Sequence, residues 1–311
     1  MLRVLQPGIQ TTLQGAPRLG QRHYGMPYSG PADPLSMALA NRLVGNAISS
    51  TCLEITYGGF EAEIEAACSI ALAGADGGAR VSGRDASFHR TLHLQPGDTL
   101  SLTPPVNGAR SYLAIHSGFQ AAEQFRSTST YLPAGIGGHE GRALRMGDVL
   151  RSIEAGLFAS TLETPETLRP VMTHQFALRA CESAETKLLN PEGQRILFSE
   201  TFTIGRQATR MGLALTGHEL GLDSDGMMKS APVFPGTIQC PPSGVPIVLS
   251  CDAQTTGGYP RIAGVARCDR HLLGQIRPGD QVRLLRRTPD AAVEDYQRKQ
   301  SYFADWLDRG F

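Results

Sequence analysis

What most limits the fold of this chain is how often it is interrupted. Apolar runs are short and end in turn residues from one terminus to the other: Cys68 to Ala73, Thr99 to Leu102, Ser111 to Ile115, Phe176 to Leu178, Ile247 to Cys251 and Gln281 to Leu285. Runs of this kind, flanked by Gly, Pro or Asp, read as strands, so the fold class is mainly β with a few short helices. One device recurs. Gln95-Pro96-Gly97-Asp98-Thr99-Leu100, Arg145-Met146-Gly147-Asp148-Val149-Leu150 and Arg277-Pro278-Gly279-Asp280-Gln281-Val282 each place Gly-Asp where a turn releases the chain into a strand, a weak internal repeat.

Two helices carry their own punctuation. Asp33 is suited to an N-cap with Pro34 at the first helical position, and Leu35, Ala38, Leu39 and Leu43 share an apolar face until Gly45. Asn41 suits hydrogen bonding at the helix end. Thr288-Pro289 opens a terminal helix on which Val293, Tyr296, Phe303, Trp306 and Leu307 approximate helical spacing, a packing helix. A chain of 311 residues exceeds the usual single core. The threonine- and proline-bearing stretch from Ser152 to Thr173 takes the junction, giving expected domains at 1–165 and 166–311, for which two barrels or two sandwiches fit.

Composition removes several function classes. The 29 basic and 29 acidic residues cancel and no polybasic tract occurs, which argues against a nucleic-acid partner. No window approaches the roughly 18 apolar residues that span a bilayer, and the start lacks a leader pattern, so a cytoplasmic protein without a membrane partner is expected. The six cysteines are scattered without a C-x-x-C pair and read as reduced core residues. Lysine occurs only at 187, 229 and 299, and no G-x-x-x-x-G-K-[ST] loop is present, so a lysine-and-amide cradle for a triphosphate is not encoded. The nucleophile elbow G-x-S-x-G is also missing. His89 and His93 have a helical metal-ligand spacing, but Ser87 to Leu94 reads equally as an extended segment, and no metal is expected. His23, His116 and His139 lie near glycines without an assignable role.

The most informative stretch is Gly236-Thr237-Ile238-Gln239-Cys240-Pro241-Pro242, which leads through Pro246-Ile247-Val248-Leu249-Ser250-Cys251 into Asp252-Ala253-Gln254-Thr255-Thr256-Gly257-Gly258-Tyr259-Pro260. Adjacent glycines permit positive φ and close backbone approach, and the residue before proline is held extended, so this turn can present amide N–H groups to a carboxylate, phosphate or lactam oxygen. Asp252, Gln254, Thr255, Thr256 and Tyr259 supply donors, acceptors and an acid around it. Pattern alone reads equally as a turn tied down by its own side chains.

This block resembles the signature of the family variously called the 5-oxoprolinase C subunit, allophanate hydrolase subunit 2 or biotin-dependent carboxyltransferase-like. The resemblance runs along nearly the whole chain, through Gly8 to Gln14, Ser29 to Asp33, Ala40 to Asn46, Leu53 to Thr56, Ser127 to Thr130, Gly137-Gly138, Gly141-Arg142, Arg210-Met211-Gly212 and Gln275 to Asp280. It also departs from the pattern. Where Gln-Asp-x-Gly-Arg is usual, this chain has Gln14-Gly15-Ala16-Pro17-Arg18, and Thr128 and Ala214 stand where arginine is usual.

The resemblance implies two tandem cyclophilin-like β-barrels and work within a complex, joined to a KipI-like B subunit and a LamB/YcsF-like A subunit, that opens 5-oxoproline to glutamate with ATP hydrolysis. ATP would then act at the level of the complex. On this reading Arg18, Gln254, Thr255, Thr256, Gly257, Gly258 and Tyr259 bind substrate, while Asp252, Arg210 and Gln239 carry the chemistry: an arginine neutralises developing charge, and Gln239 and Asp252 orient the amide. Two alternatives follow from the same resemblance. One is the carboxyltransferase part of a urea carboxylase, which needs biotin from elsewhere because Met228-Lys229 lacks a biotin-acceptor context. The other is a regulatory protein that binds a kinase-inhibitor-like partner without turnover.

Overall fold

The computed structural model describes residues 1–307. A first compact unit comprises Met1–Arg18, Ser29–Met172 and residues 303–307. Its strands are β1 (Leu2–Pro7), β2 (Gln10–Gln14), β3 (Cys52–Thr56), β4 (Phe60–Ile64), β5 (Cys68–Gly74), β6 (Ala79–Val81), β7 (Arg84–Ala86), β8 (Thr91–Leu94), β9 (Thr99–Leu102), β10 (Arg110–Ile115) and β11 (Val149–Leu150), with α1 (Pro34–Arg42) after β2. They form two sheets, in the orders β11-β1-β4-β9-β6-β7 and β2-β3-β10-β5-β8. Both sheets turn alternate residues into one core, with Val4, Phe60 and Leu100 from the first meeting Leu13, Ile55, Leu72 and Leu113 from the second.

Strands β5 and β10 are buried along their whole length because their second face is covered as well. There Ala71, Ala73, Tyr112 and Ala114 meet Leu35 and Leu39 of α1 and its C-cap Leu43, together with Phe303 and Leu307. Alanine on the sheet gives the helix room to approach. The expected cap is present: Asp33 Oδ1 accepts the Ser36 N–H at 3.0 Å, and Pro34 opens the helix. Each buried leucine contributes roughly 1.5–3 kcal/mol, against about 1 kcal/mol for the cap, so packing rather than capping decides the helix's stability.

A second compact unit comprises Leu19–Tyr28 and Thr173–Tyr302. The two units therefore exchange short segments, and the contiguous division at 165/166 does not describe them. In sequence order the second unit contains β12 (Gln175–Glu182), α2 (Pro191–Ser199), β13 (Thr201–Ile204), β14 (Gly212–Thr216), β15 (Ala231–Pro232), β16 (Thr237–Gln239), β17 (Ile247–Leu249), β18 (Thr256–Gly257), β19 (Arg261–Val265) and β20 (Gln281–Arg287), followed by α3 (Pro289–Leu307), which ends in the first unit. Seven strands close a barrel in the order β12-β19-β16-β17-β14-β13-β20, while β15 and β18 pair separately. The barrel interior is filled by side chains such as Leu178, Phe202, Leu213, Leu215, Ile238, Val248 and Leu284.

The Gly-Asp repeat proves to be one hydrogen-bonded module used three times. Gly97, Gly147 and Gly279 have φ of 89°, 89° and 88°, a conformation that favours glycine. Each aspartate accepts the N–H three residues upstream, from Gln95, Arg145 and Arg277 at 2.8, 2.7 and 2.8 Å. In each copy the glycine N–H and the aspartate carbonyl bind both main-chain groups of one residue on a neighbouring strand: Ile64, Val4 and Ile204. The module occurs twice in the first unit and once in the second. No helix among the described residues is long and apolar enough to cross a membrane.

Candidate functional site

Strand alternation places the candidate site on the outside of the second unit's barrel. Leu213, Leu215, Ile238 and Val248 point into the core, which sends Gly212, Ala214, Gln239, Ile247 and Leu249 to the opposite face. Register aligns them: Gly212 lies opposite Leu249, Ala214 opposite Ile247, and Ile247 opposite Gln239. With Gln207, Met211, Gln254 and Tyr259 they line a depression of about 240 Å³. Its polar side chains are the carboxamides of Gln207, Gln239 and Gln254 and the phenol of Tyr259. Gln254 Nε2 donates to Gln239 Oε1 at 3.3 Å, and Gln239 Nε2 donates to the Tyr259 carbonyl at 3.2 Å, so the orientation of the buried Gln239 amide is fixed from both ends.

Of the glycine-rich turn only its two ends, Gln254 and Tyr259, line this depression; Thr255, Thr256, Gly257 and Gly258 lie behind them and shape it indirectly. Neither Gly257 nor Gly258 has the positive φ anticipated from the sequence. Both are needed for close approach: a Cβ at Gly257 would lie 2.6 Å from Gln239 Nε2, and one at Gly258 would lie 3.1 Å from the Met228 carbonyl. The main chain is paired rather than open. β18 runs against β15, the Val233 N–H donates to the Thr255 carbonyl at 3.1 Å, and the Met228 N–H donates to the Gly258 carbonyl at 2.7 Å. Thr255 is half-buried and Thr256 exposed, and neither lines the depression.

Arg210 and Asp252, 42 residues apart in sequence, form a buried two-pronged ion pair, with Nε to Oδ2 at 2.7 Å and Nη2 to Oδ1 at 3.0 Å. Main-chain bonds reinforce it: the Asp252 N–H donates to the Arg210 carbonyl at 2.8 Å and the Ser250 N–H to the Met211 carbonyl at 3.0 Å. The pair thus stitches the entry of β14 to the exit of β17, the two central strands of the floor. This geometry makes Asp252 a support for Arg210, with both its carboxylate oxygens occupied. Cys240, close by in sequence, is no nucleophile at neutral pH, since burial pushes its thiol up to about 11.

Of the residues singled out from sequence, Arg210, Gln239, Asp252, Gln254, Thr255, Thr256, Gly257, Gly258 and Tyr259 all belong to the second unit, and Arg18 belongs to the first. Arg18 is fully buried and donates to the Ser129 carbonyl. Gly137 is required beside it, because a Cβ there would come within 2.6 Å of Arg18 Nη2. Sequence reasoning missed the apolar part of the lining, Met211, Ile247 and Leu249, although the alternation of β14 and β17 carried that signal. His89 and His93 do not share a helix: His93 is on β8 with Nδ1 2.9 Å from Ser69 Oγ, and His89 lies in the turn before that strand with a left-handed φ of 61°. Among the described residues no cluster of three or more His, Cys, Asp or Glu is placed to hold a metal.

Residues 24–286 match the carboxyltransferase domain, subdomain A and B. The chain belongs to this family. It is 34% identical to the 5-oxoprolinase C subunit of Escherichia coli K12, covering 97% of this chain and 96% of that protein. It is 30% identical to the 5-oxoprolinase C subunit of Haemophilus influenzae, covering 99% and 98%. Urea amidolyase of Saccharomyces cerevisiae is 27% identical over 91% of this chain, which spans only 16% of that protein. Among solved structures, Kluyveromyces lactis urea carboxylase superposes with a TM-score of 0.92 at 26% identity, covering 99% of this chain and 29% of that one.

Two of the departures of this carboxyltransferase-domain chain from its family pattern touch each other. Thr51 Oγ1 and Thr128 Oγ1 share a hydrogen bond of 2.7 Å, and a Cβ at Gly15 would overlap Thr128 Oγ1. A side chain at position 15 would therefore require the Thr128 hydroxyl to move. Pro17 packs on Gly30, whose Cβ would meet Pro17 Cγ at 3.0 Å. Ala214 lies in the floor of the depression, where its small side chain leaves volume free.

Proposed function

We propose that this chain is the C subunit of a cytoplasmic, ATP-dependent 5-oxoprolinase, contributing to the hydrolysis of 5-oxoproline to glutamate together with a KipI-like B subunit and a LamB/YcsF-like A subunit. The observation that carries this reading is the carboxamide pair Gln239–Gln254 at the floor of a cavity large enough for a five-membered lactam. A carboxamide offers one donor and one acceptor side by side, the complement of an amide's own N–H and C=O. Likeness over nearly the full length to two proteins named as the C subunit of 5-oxoprolinase supports the specific substrate.

In this scheme Gln254 reads the lactam amide and Gln239 holds Gln254 in register. Tyr259 stands beside the ring, and Gly257, packed on Gln239, lets the chain between Gln254 and Tyr259 approach that carboxamide closely. Arg210 and Asp252, neutralising each other, brace the strands beneath the floor. Net hydrolysis breaks the ring C–N bond, adds the hydroxyl of water to the carbonyl carbon and delivers a proton to the nitrogen. The residues lining the cavity do not fit a nucleoside triphosphate: none is cationic, and Arg210 is bound to Asp252. No step of nucleotide chemistry is assigned to this chain, and ATP binding falls to a partner.

The fold-level match to urea carboxylase favours one other reading, transfer of CO2 from carboxybiotin to an amide nitrogen. Reconstitution separates the two. The purified chain is combined with its candidate B and A partners, and glutamate release from 5-oxoproline is followed with ATP. Glutamate release that requires all three proteins supports the proposal. Absence of release in every combination overturns it, and ATP use that depends on bicarbonate and a biotinylated protein selects the carboxyltransferase instead.

A further inference from the structure

Leu19–Tyr28 belongs to the second unit yet contributes no strand to its barrel. Its anchor is Arg22. The guanidinium lies 4.8 Å from the centroid of the Tyr28 ring and 4.7 Å from that of Phe234. Nη2 donates to the Val233 carbonyl and, at 3.2 Å, to the Thr255 carbonyl. The Thr255 carbonyl also accepts the Val233 N–H in the hydrogen bond that closes the β15–β18 pair, and the residue before Thr255 is Gln254. With two residues per strand, this pair is too short to persist unaided.

We propose that Arg22 is a positioning residue of the amide site: it clamps the end of the β15–β18 pair and thereby fixes Gln254 to Tyr259 over the floor. The inference rests on the reading of this depression as the amide site. Arg22 touches no reacting atom and acts through the two carbonyls. A planar guanidinium can direct N–H groups at two carbonyls while its faces stack on aromatic rings, and the rings keep water from competing for those bonds. A lysine is a point charge on a flexible stem and cannot do all three at once.

Hydrogen exchange on the isolated chain tests the clamp without reference to turnover. In Arg22→Ala and Arg22→Lys, amides of residues 228–233 and 255–259 exchange at least about tenfold faster, while core amides of β13, β14 and β20 keep their native rates, because charge-assisted bonds are lost only at that pair. Native rates at that pair, or equal acceleration throughout the barrel, would overturn the proposal. In a complex that releases glutamate, Arg22→Ala raises KM for 5-oxoproline about tenfold, and added methylguanidinium restores it; a lowered kcat at unchanged KM contradicts a positioning role. Should the native complex release no glutamate while the exchange result holds, the functional reading falls and the clamp stands.

Discussion

The Arg210–Asp252 pair allows a quantitative test of how the floor of the site is held. Both side chains are nearly inaccessible, at 7% and 5% exposure, so the charges depend on each other rather than on water. Asp252→Ala leaves the guanidinium buried without its carboxylate, a change that costs about 3–5 kcal/mol. For a unit of this size each kcal/mol moves the midpoint by roughly 3 °C, so the expected fall in Tm is about 10–15 °C. Arg210→Met should do similar damage. The double variant Arg210→Met/Asp252→Leu should recover most of the loss, because apolar residues of similar volume replace buried ion pairs at little net cost. Thermal and urea unfolding of the four proteins completes a double-mutant cycle. The reasoning is refuted if Asp252→Ala loses under about 1 kcal/mol, or if the two single losses add in the double variant.

Further outcomes follow from local geometry. Gly257→Ala pushes a methyl group against the Gln239 carboxamide, the movable end of a side chain, so turnover by the complex falls while Tm changes by less than about 3 °C, read by glutamate release and calorimetry. Hydrogen bonds from Arg142 hold the Asp148 carboxyl down to about 2. Because the folded value lies below the unfolded one near 3.9, the pair's stabilisation is complete above about pH 4 and is lost as pH falls toward about 2. Arg142→Ala therefore lowers stability at pH 7 and flattens its decline between those values, measured by urea unfolding across that range. Burial pushes Cys68 and Cys240 up to about 11, so both resist iodoacetamide at pH 7.5 in the folded chain and react once it is denatured, as mass spectrometry of the labelled peptides would show.

Local chemistry made much of the fold legible. The Gly-Asp turns, the Asp33-Pro34 helix start and the Thr288-Pro289 start are encoded within a few residues, where capping and φ preference act directly. The exchange of Leu19–Tyr28 and residues 303–307 between units is set by long-range packing, for which a short segment carries no periodic signal. The site divides in the same way. Gln239, Gln254 and Tyr259 were visible as polar residues around a strand exit, and they converge. That Asp252 serves Arg210 was not visible, since partners 42 residues apart are joined only by the β14–β17 register. The twin glycines signalled unusual backbone, but the same residue serves positive φ and close approach, and only the position of Gln239 decides between them.

The central claim is that the carboxamide-lined depression on the outer face of the barrel handles the amide. Gln239→Leu keeps the side chain's size and removes its hydrogen bonds to Gln254 and Tyr259. The decisive measurement is glutamate release from 5-oxoproline by the reconstituted three-protein complex carrying this substitution, at unchanged Tm and unchanged assembly of the complex. A loss of about a hundredfold is predicted, because Gln254 is then no longer held in place to meet the reacting amide. Activity within about twofold of the native complex would contradict the assignment of the site.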